Sequence, residues 1–340
     1  MVEMPSQPHW LYEDGIGEAR AAFISNGRIL EAVIEREGGG ARAGAILPGR
    51  LAETIVPRRR GIARLDSGEE VLIEPIPPKV AEGAAILVEI TREAIYEPGL
   101  DGVRPKRALG RVAGPGVKAA PGPSLRDRLA AGDLPVYLCA AHEPDWLEQC
   151  GWSALCEEAM IGEIVREDAG LRIFPTPAMT LIDVDGVAPP AQLGPKGAKL
   201  AAQAIRRLGI TGSIGIDLPT MNNRDERLIA AAQIDKYLPL PFERTAVNGF
   251  GFVQIVRRRE RPSMMELLRG DPVRTAALAA LRLGERHGAG MGTVTLTGAP
   301  AVCQLLERNP PWLHSLEKRR GGSVTLRIDA ALNEGGYHAS

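Results

Sequence analysis

The sequence predicts a multi-domain α/β (α+β) chain, and three observations carry that expectation. The first third holds short alternating runs broken by turn residues, among them "EARAAFISNG" and "RILEAVIERE" about Asn26-Gly27, a hairpin signal. The middle sets out strand, helix and strand in succession, "AMTLID", "KGAKLAAQAIRRLG" and "GSIGID", at the length of a parallel crossover unit. Residues 272–340 alternate helical and strand patterns as a small α/β domain does: "VRTAALAALRLGERHG", "GTVTLTG", "APAVCQLLERN", a short helix and "GSVTLRID". A chain of 340 residues is long enough for more than one core.

Composition narrows the function classes. With 44% hydrophobic and 24% charged residues the chain reads as soluble and globular. A net charge of −1 gives no whole-molecule attraction to nucleic acid, so any such affinity must come from local basic patches. The opening "MVEMPSQPHWLYEDG" has no basic region followed by an apolar core, so no secretory signal is expected. No apolar run approaches membrane-spanning length, so no membrane partner is expected either. Cys139, Cys150, Cys156 and Cys303 lie at irregular spacing and read as reduced cytosolic thiols, which points to the cytoplasm. A zinc site on Cys150, Cys156 and His142 fits no usual spacing. Neither a P-loop nor a dinucleotide fingerprint is present; "GPKGAK" at Gly194 is too short. His287, His314 and His338 are scattered, with no nucleophile motif near them.

Taken in order, the elements are as follows. After Gly38 to Gly40, the runs "AGAILPGRL", "GIARLDSG", "EEVLIEPI" and "AAILVEITREAI" suggest a small barrel or sandwich. Residues 105–123 are rich in Pro, Gly and basic residues and read as a linker or solvated loop. Residues 124–168 mix short helical patterns with "LPVYLCAA". A helix is expected from about Lys196 to Gly209, with Leu200, Ala204 and Leu208 on one face and Gly209 as its stop. A second helix starts at "MNNRDER", capped by Asn222 or Asn223, with Asp225 and Glu226 in its first turn.

Between the two middle strands lies the chemistry. A crossover puts the carboxyl ends of both strands on one edge of the sheet, so Asp183 and Asp217 are expected near each other, where open α/β sheets bind ligands. Each could simply close a turn. Two adjacent carboxylates repel, however, unless a cation lies between them. An all-oxygen set favours Mg²⁺ or Mn²⁺ over zinc. Asp185 would share a face with Asp183 and could be a third ligand. Downstream, Arg257, Arg258, Arg259 and Arg261 end an apolar strand, either as a solvated edge or, beside a metal site, as phosphate ligands. Arg58 to Arg60 and Lys318 to Arg320 read as plain surface.

These segments resemble the ribonuclease E/G family of endoribonucleases. "AGLRIFPTPAMTLIDVDG" is similar to the family's strand with its first metal-binding aspartate, and "LAAQAIRRLGITGSIGIDLPTMNNRDER" to its helix and second aspartate strand. "TAVNGFGFVQIVRRRERPS" resembles the segment that follows. "ARAAFISNGRILEAVIERE" and "GAILPGRLAETIVP" resemble the opening hairpin and the entry to an inserted OB-fold RNA-binding barrel, and "GGSVTLRIDAALNEGGYHAS" the small carboxyl-terminal domain. The resemblance implies an amino-terminal hairpin at 1–40, an OB-fold-like insert at 41–112, a shortened region at 113–165, a metal-dependent nuclease core at 166–265 and a small α/β domain at 270–340. It further implies that Asp183 and Asp217 bind a catalytic Mg²⁺, with Asp185 beside them, and that single-stranded RNA is hydrolysed to leave a 5′-phosphate. Arg257, Arg259, Lys106 and Asn248 are the expected RNA-binding residues.

The chain also departs from the family. Asp185 stands where Asn is usual, and the stretch from Gly186 to Gly194 is short. No Arg-Thr motif for an RNA 5′-monophosphate is found, so end-sensing is not expected. "MMELLRGDPVRTA" lacks the paired cysteines of the zinc link, so no structural zinc is expected and no oligomeric form is implied. Arg64 occupies about the place of a stacking Phe; base stacking is worth about 1–3 kcal/mol per base, so a weaker or different grip on RNA is expected of the barrel. Two other functions stay open: a non-catalytic RNA-binding protein on the same scaffold, and a phosphodiesterase for short oligonucleotides.

Overall fold

The computed structural model describes residues 5, 7–99, 102–167, 169–287, 292–332 and 336–340. Gly288, the last residue of the helical pattern "VRTAALAALRLGERHG", lies outside them. The amino-terminal strands are β1 (His9–Asp14), β2 (Glu18–Ser25) and β3 (Arg28–Arg36). Next come β4 (Ile46–Val56), β5 (Arg60–Leu65), β6 (Glu70–Ile73), β7 (Ala85–Arg92), β8 (Ile95–Gly99), β9 (Gly102–Lys106) and β10 (Ala108–Val112). Then α1 (Leu125–Ala130), β11 (Val136–Leu138), α2 (Trp146–Gln149), α3 (Trp152–Ile161) and β12 (Glu163–Val165) lead to β13 (Gly170–Pro175) and β14 (Thr180–Asp185). The crossover helix α4 (Pro190–Arg207) is followed by β15 (Gly212–Asp217), α5 (Arg224–Tyr237), β16 (Glu243–Arg244) and β17 (Phe252–Arg257). The chain ends with α6 (Met264–Gly270), α7 (Pro272–Arg286), β18 (Val294–Gly298), α8 (Pro300–Glu307), α9 (Pro310–Arg320), β19 (Val324–Ile328) and β20 (Tyr337–Ala339).

These elements group into two units, each assembled from separated stretches. The first takes residues 1–37, 132–154 and 271–340. Its larger sheet runs β11-β1-β2-β3, with Asn26 (φ 51°) and Gly27 (φ 67°) in the left-handed conformation that a two-residue hairpin turn requires. Its smaller sheet runs β19-β18-β20. Ile16 packs with Leu278, Leu281, Leu296, Val302 and Leu316 in one apolar core. Arg20 is almost fully buried in this unit and donates to Glu13 at 3.0 Å and to Asp145 at 2.9 Å. Beside them burial, and then the Glu13 charge, push the Cys139 thiol up to about 12, which leaves it inert.

The second unit takes residues 38–131 and 155–270. Five of its strands close a barrel in the order β10-β6-β5-β4-β7. Only β10 and β6 pair in parallel. Leu51, Val71, Ile73, Val88 and Ile90 fill the interior. The unit also holds a two-stranded sheet, β8-β9, and a six-stranded sheet, β12-β13-β14-β15-β17-β16. The middle pair of the latter, β14 and β15, is parallel and joined through α4. The helix starts six residues earlier than its pattern suggests, at Pro190, because proline fits the first helical turn. It ends where expected, with Gly209 at φ 63°.

Candidate active site

Alternation along β14 decides where its carboxylates point. Ile182 and Val184 are buried, and α4 presses so closely that a Cβ on Gly197 would stand 2.2 Å from Val184 Cγ1. Asp183 and Asp185 therefore lie on the opposite, open face, since strand side chains alternate. On β15, Ile214 and Ile216 are likewise buried and Asp217 is exposed. The parallel register pairs Asp183 with Asp217 directly, so the two carboxylates stand on one face, on strands whose backbones lie about 4.8 Å apart. The spacing of the two motifs had placed them so, and the structure brings them together.

The surroundings of the pair differ from the sequence reading in one respect. Arg172 on β13 lies opposite Asp183 in the antiparallel register. Its Nη1 is 3.8 Å from Asp183 Oδ2 and 3.8 Å from Asp185 Oδ2. A guanidinium therefore already partly balances the acidic row, and the carboxylates are far from buried: the Asp183 side chain is 46% exposed. Repulsion between them is weaker than burial would have made it. Arg172 was not singled out in the sequence. The only signal for it would have been the hairpin register through Thr176 and Met179, whose hydrogen bonds close the β13–β14 turn.

Asp185 has a second duty. Its Oδ1 accepts from the Gly186 amide at 2.8 Å, so this side chain closes the turn after β14. Asp183 and Asp217 offer the two carboxylates that, with water, commonly hold Mg²⁺. In chemistry and placement they fit a hard divalent ion. Among the described residues no group of three or more His, Cys, Asp or Glu side chains is arranged as a metal cluster.

The remaining expected residues separate into two places. Asn248 lies at the aspartate edge, because β17 runs antiparallel to β15 and pairs Phe252 with Asp217. Its Oδ1 accepts from the Phe250 amide at 2.9 Å and the Phe252 amide at 3.0 Å, so it shapes the turn entering β17. The same register puts Arg257 opposite Gly212, at the other end of β15. Five residues of strand, roughly 16 Å, separate that point from Asp217. The arginine run is thus not beside the aspartates, as the sequence reading had considered. Arg257 donates to the Ile210 carbonyl at 2.9 Å, and Arg259 pairs with Glu266. Burial first, and then the neighbouring Arg92 charge, lower the Arg259 guanidinium from its ordinary value. Arg261 reaches Glu93 at 3.4 Å.

Lys106 stands on β9, where its Nζ donates to Glu97 Oε2 at 2.9 Å. It borders a cleft with Glu69, Glu70 and Arg107. On the barrel, the exposed Arg64 donates to Glu70 at 3.0 Å. Hydrogen bonds from Arg64 and then Arg107 hold the Glu70 carboxyl below its ordinary range. The basic side chains on this part of the barrel are therefore paired locally. At α5, Asn223 is the cap, its Oδ1 accepting from the Glu226 amide at 2.9 Å. No helix among the described residues is long and apolar enough to cross a membrane. Neither a protein-family model nor a curated protein sequence matches this chain.

Proposed function

We propose that the chain is a metal-dependent endoribonuclease of reduced form, hydrolysing phosphodiesters in single-stranded RNA during cytoplasmic RNA processing or decay. The observation that carries this reading is the direct pairing of Asp183 with Asp217 on adjacent parallel strands, at the edge of the sheet. Such an edge is where open α/β sheets take ligands. The five-stranded barrel supports it, since its strand order and its single parallel pair are those of an OB-type Greek key, a common oligonucleotide-binding module.

In this reading Asp183 and Asp217 supply carboxylate oxygens to Mg²⁺ or Mn²⁺. An ion held there would supply activation of a water and neutralisation of charge on the attacked phosphate. Arg172, on the same face, balances the acidic row and can offer hydrogen bonds to a phosphate oxygen. Asn248 holds the backbone of the turn beside Asp217. Water oxygen bonds to phosphorus, the bond to the 3′ oxygen breaks, and the products carry a 5′-phosphate and a 3′-hydroxyl. Recognition of a 5′-monophosphate is not part of this proposal.

One observation favours a second reading. Because Arg172 partly balances Asp183 and Asp185 by itself, the same sheet could serve a non-catalytic RNA-binding protein. A 5′-labelled, unstructured RNA incubated with Mg²⁺ or with chelator separates the two. Internal cleavage that needs Mg²⁺ and disappears in Asp183→Asn supports the nuclease. Binding without cleavage, equal in both proteins, overturns it and leaves the binder.

A further inference from the structure

The turn between Val247 and β17 presents an aromatic ring to solvent, and its backbone is bonded to the loop that leaves Asp217. Phe250 is 82% exposed. Its amide donates to Asn248 Oδ1 at 2.9 Å, and its carbonyl accepts from Thr220 Oγ1 at 3.3 Å. The next residue, Gly251, has φ 94°, and a Cβ there would stand 2.2 Å from the Leu218 carbonyl oxygen. Only glycine fits that position, so the turn lies tightly against the backbone leaving Asp217. The Leu218 amide donates to the Gly251 carbonyl at 3.3 Å, tying the two loops together one residue after Asp217.

We propose that Phe250 is the platform on which an unpaired base of single-stranded RNA stacks next to the Asp183–Asp217 pair. This rests on the single-stranded RNA reading of that site and adds a positioning residue to it. The neighbouring chemistry favours a base over a protein partner. The turn that carries the ring is bonded through its backbone to the polar side chains of Thr220 and Asn248. Protein docking usually needs several hundred Å² of continuous surface. A single rigid ring is sufficient for a base, whose π face stacks on an aromatic side chain regardless of sequence. A pinned backbone also holds the ring without the ordering cost a mobile loop would incur on binding. Phe252, paired with Asp217, lays its own ring over Gly215, where a Cβ would meet it at 2.6 Å. The sheet surface leading from the turn is thus also aromatic.

The test measures binding apart from cleavage. A fluorescent, unstructured oligoribonucleotide is titrated in chelator with the parent protein, Phe250→Ala and Phe250→Trp. Loss of one stacked base corresponds to about 5- to 150-fold weaker binding, expected of the alanine variant. The tryptophan variant should recover affinity, and its added emission, read above the four native tryptophans, should be quenched by RNA. Thermal midpoints should be alike, because the ring is exposed. Parent-like binding by Phe250→Ala, an equal loss in both variants, or no RNA binding by the parent would each overturn the proposal. If Mg²⁺-dependent cleavage occurs and Phe250→Ala binds normally, the stacking role falls and the nuclease reading stands. If Phe250→Ala alone weakens binding and the parent never cleaves, the stacking role stands and the nuclease reading falls.

Discussion

At the scale of single residues, the placement of Arg172 leads to a direct expectation about metal affinity. Its guanidinium stands 3.8 Å from two of the three carboxylates at the sheet edge, so it competes with any divalent cation there. These groups are half-exposed, and in water a charge pair at that range is worth about 1 kcal/mol. Arg172→Gln should therefore tighten Mn²⁺ binding by about fivefold, as measured by calorimetric titration. Unchanged or weaker binding would count against the aspartate pair as the ion's holder. A second residue-scale expectation concerns Glu13, buried against Arg20 and Arg286 in the first unit. Burial acts to raise its carboxyl, but Arg20 and then Arg286 outweigh that and the net shift is downward. Asp145 is also shifted down, by Arg20 against its own burial. Groups with lowered folded-state pKa values stabilise above their unfolded pKa and lose that contribution as pH falls through the folded value. Thermal stability should thus decline below about pH 4. Glu13→Gln should start roughly 3 kcal/mol lower at neutral pH and decline less steeply, because breaking a buried pair leaves a charge uncompensated. The acidic pair at the sheet edge was legible from its motifs. Arg172 was not, because an arginine in an alternating strand gains its partner only from hairpin register.

At the scale of elements, the crossover β14–α4–β15 is where local sequence signals and the fold agree most closely. A strand pattern, a helix stop at Gly209 and a second strand pattern are short-range features, and together they required the parallel pairing that aligns Asp183 with Asp217. The direction of β17 is a different matter. Nothing within "GFVQIVRRRE" says which neighbour it joins or which way it runs, yet that choice sends the arginines to the edge away from Asp217. Helix packing gives the testable consequence. Gly197 lets α4 approach β14 until Val184 fills the space a side chain would need. Gly197→Ala should cost about 1–3 kcal/mol in urea unfolding through overpacking. Because Val184 follows Asp183, the proposed nuclease reading expects the variant to lose Mg²⁺-dependent cleavage more than RNA binding. Equal unfolding midpoints for variant and parent would mean that Val184 simply rotates aside.

At the scale of the whole molecule, chain order and packing order diverge. The first unit collects its core from residues far apart in sequence: Ile16 packs in one cluster with Leu281, Leu296 and Leu316. Its buried charges are joined in the same way, since Arg282 pairs with Glu18 and Arg286 with Glu13, the acids coming from the opening strands and the arginines from α7. Such pairings have no local signature, and reading the sequence from left to right shows the segments without their association. If this interleaving governs stability, damage should spread by unit rather than by sequence neighbourhood. Leu281 is fully buried in that cluster, and Leu281→Ala should cost about 2–5 kcal/mol. Hydrogen exchange on the full chain should then rise together in β1, β2, β11, α7 and β18, although they span some 290 residues. The barrel strands β4–β7 and the sheet strands β13–β15, which belong to the other unit, should keep their protection. A rise confined to α7 and its sequence neighbours would show instead that the carboxyl-terminal segment opens by itself. A rise in β14 and β15 of the same size as in β1 would show that the two units unfold as one.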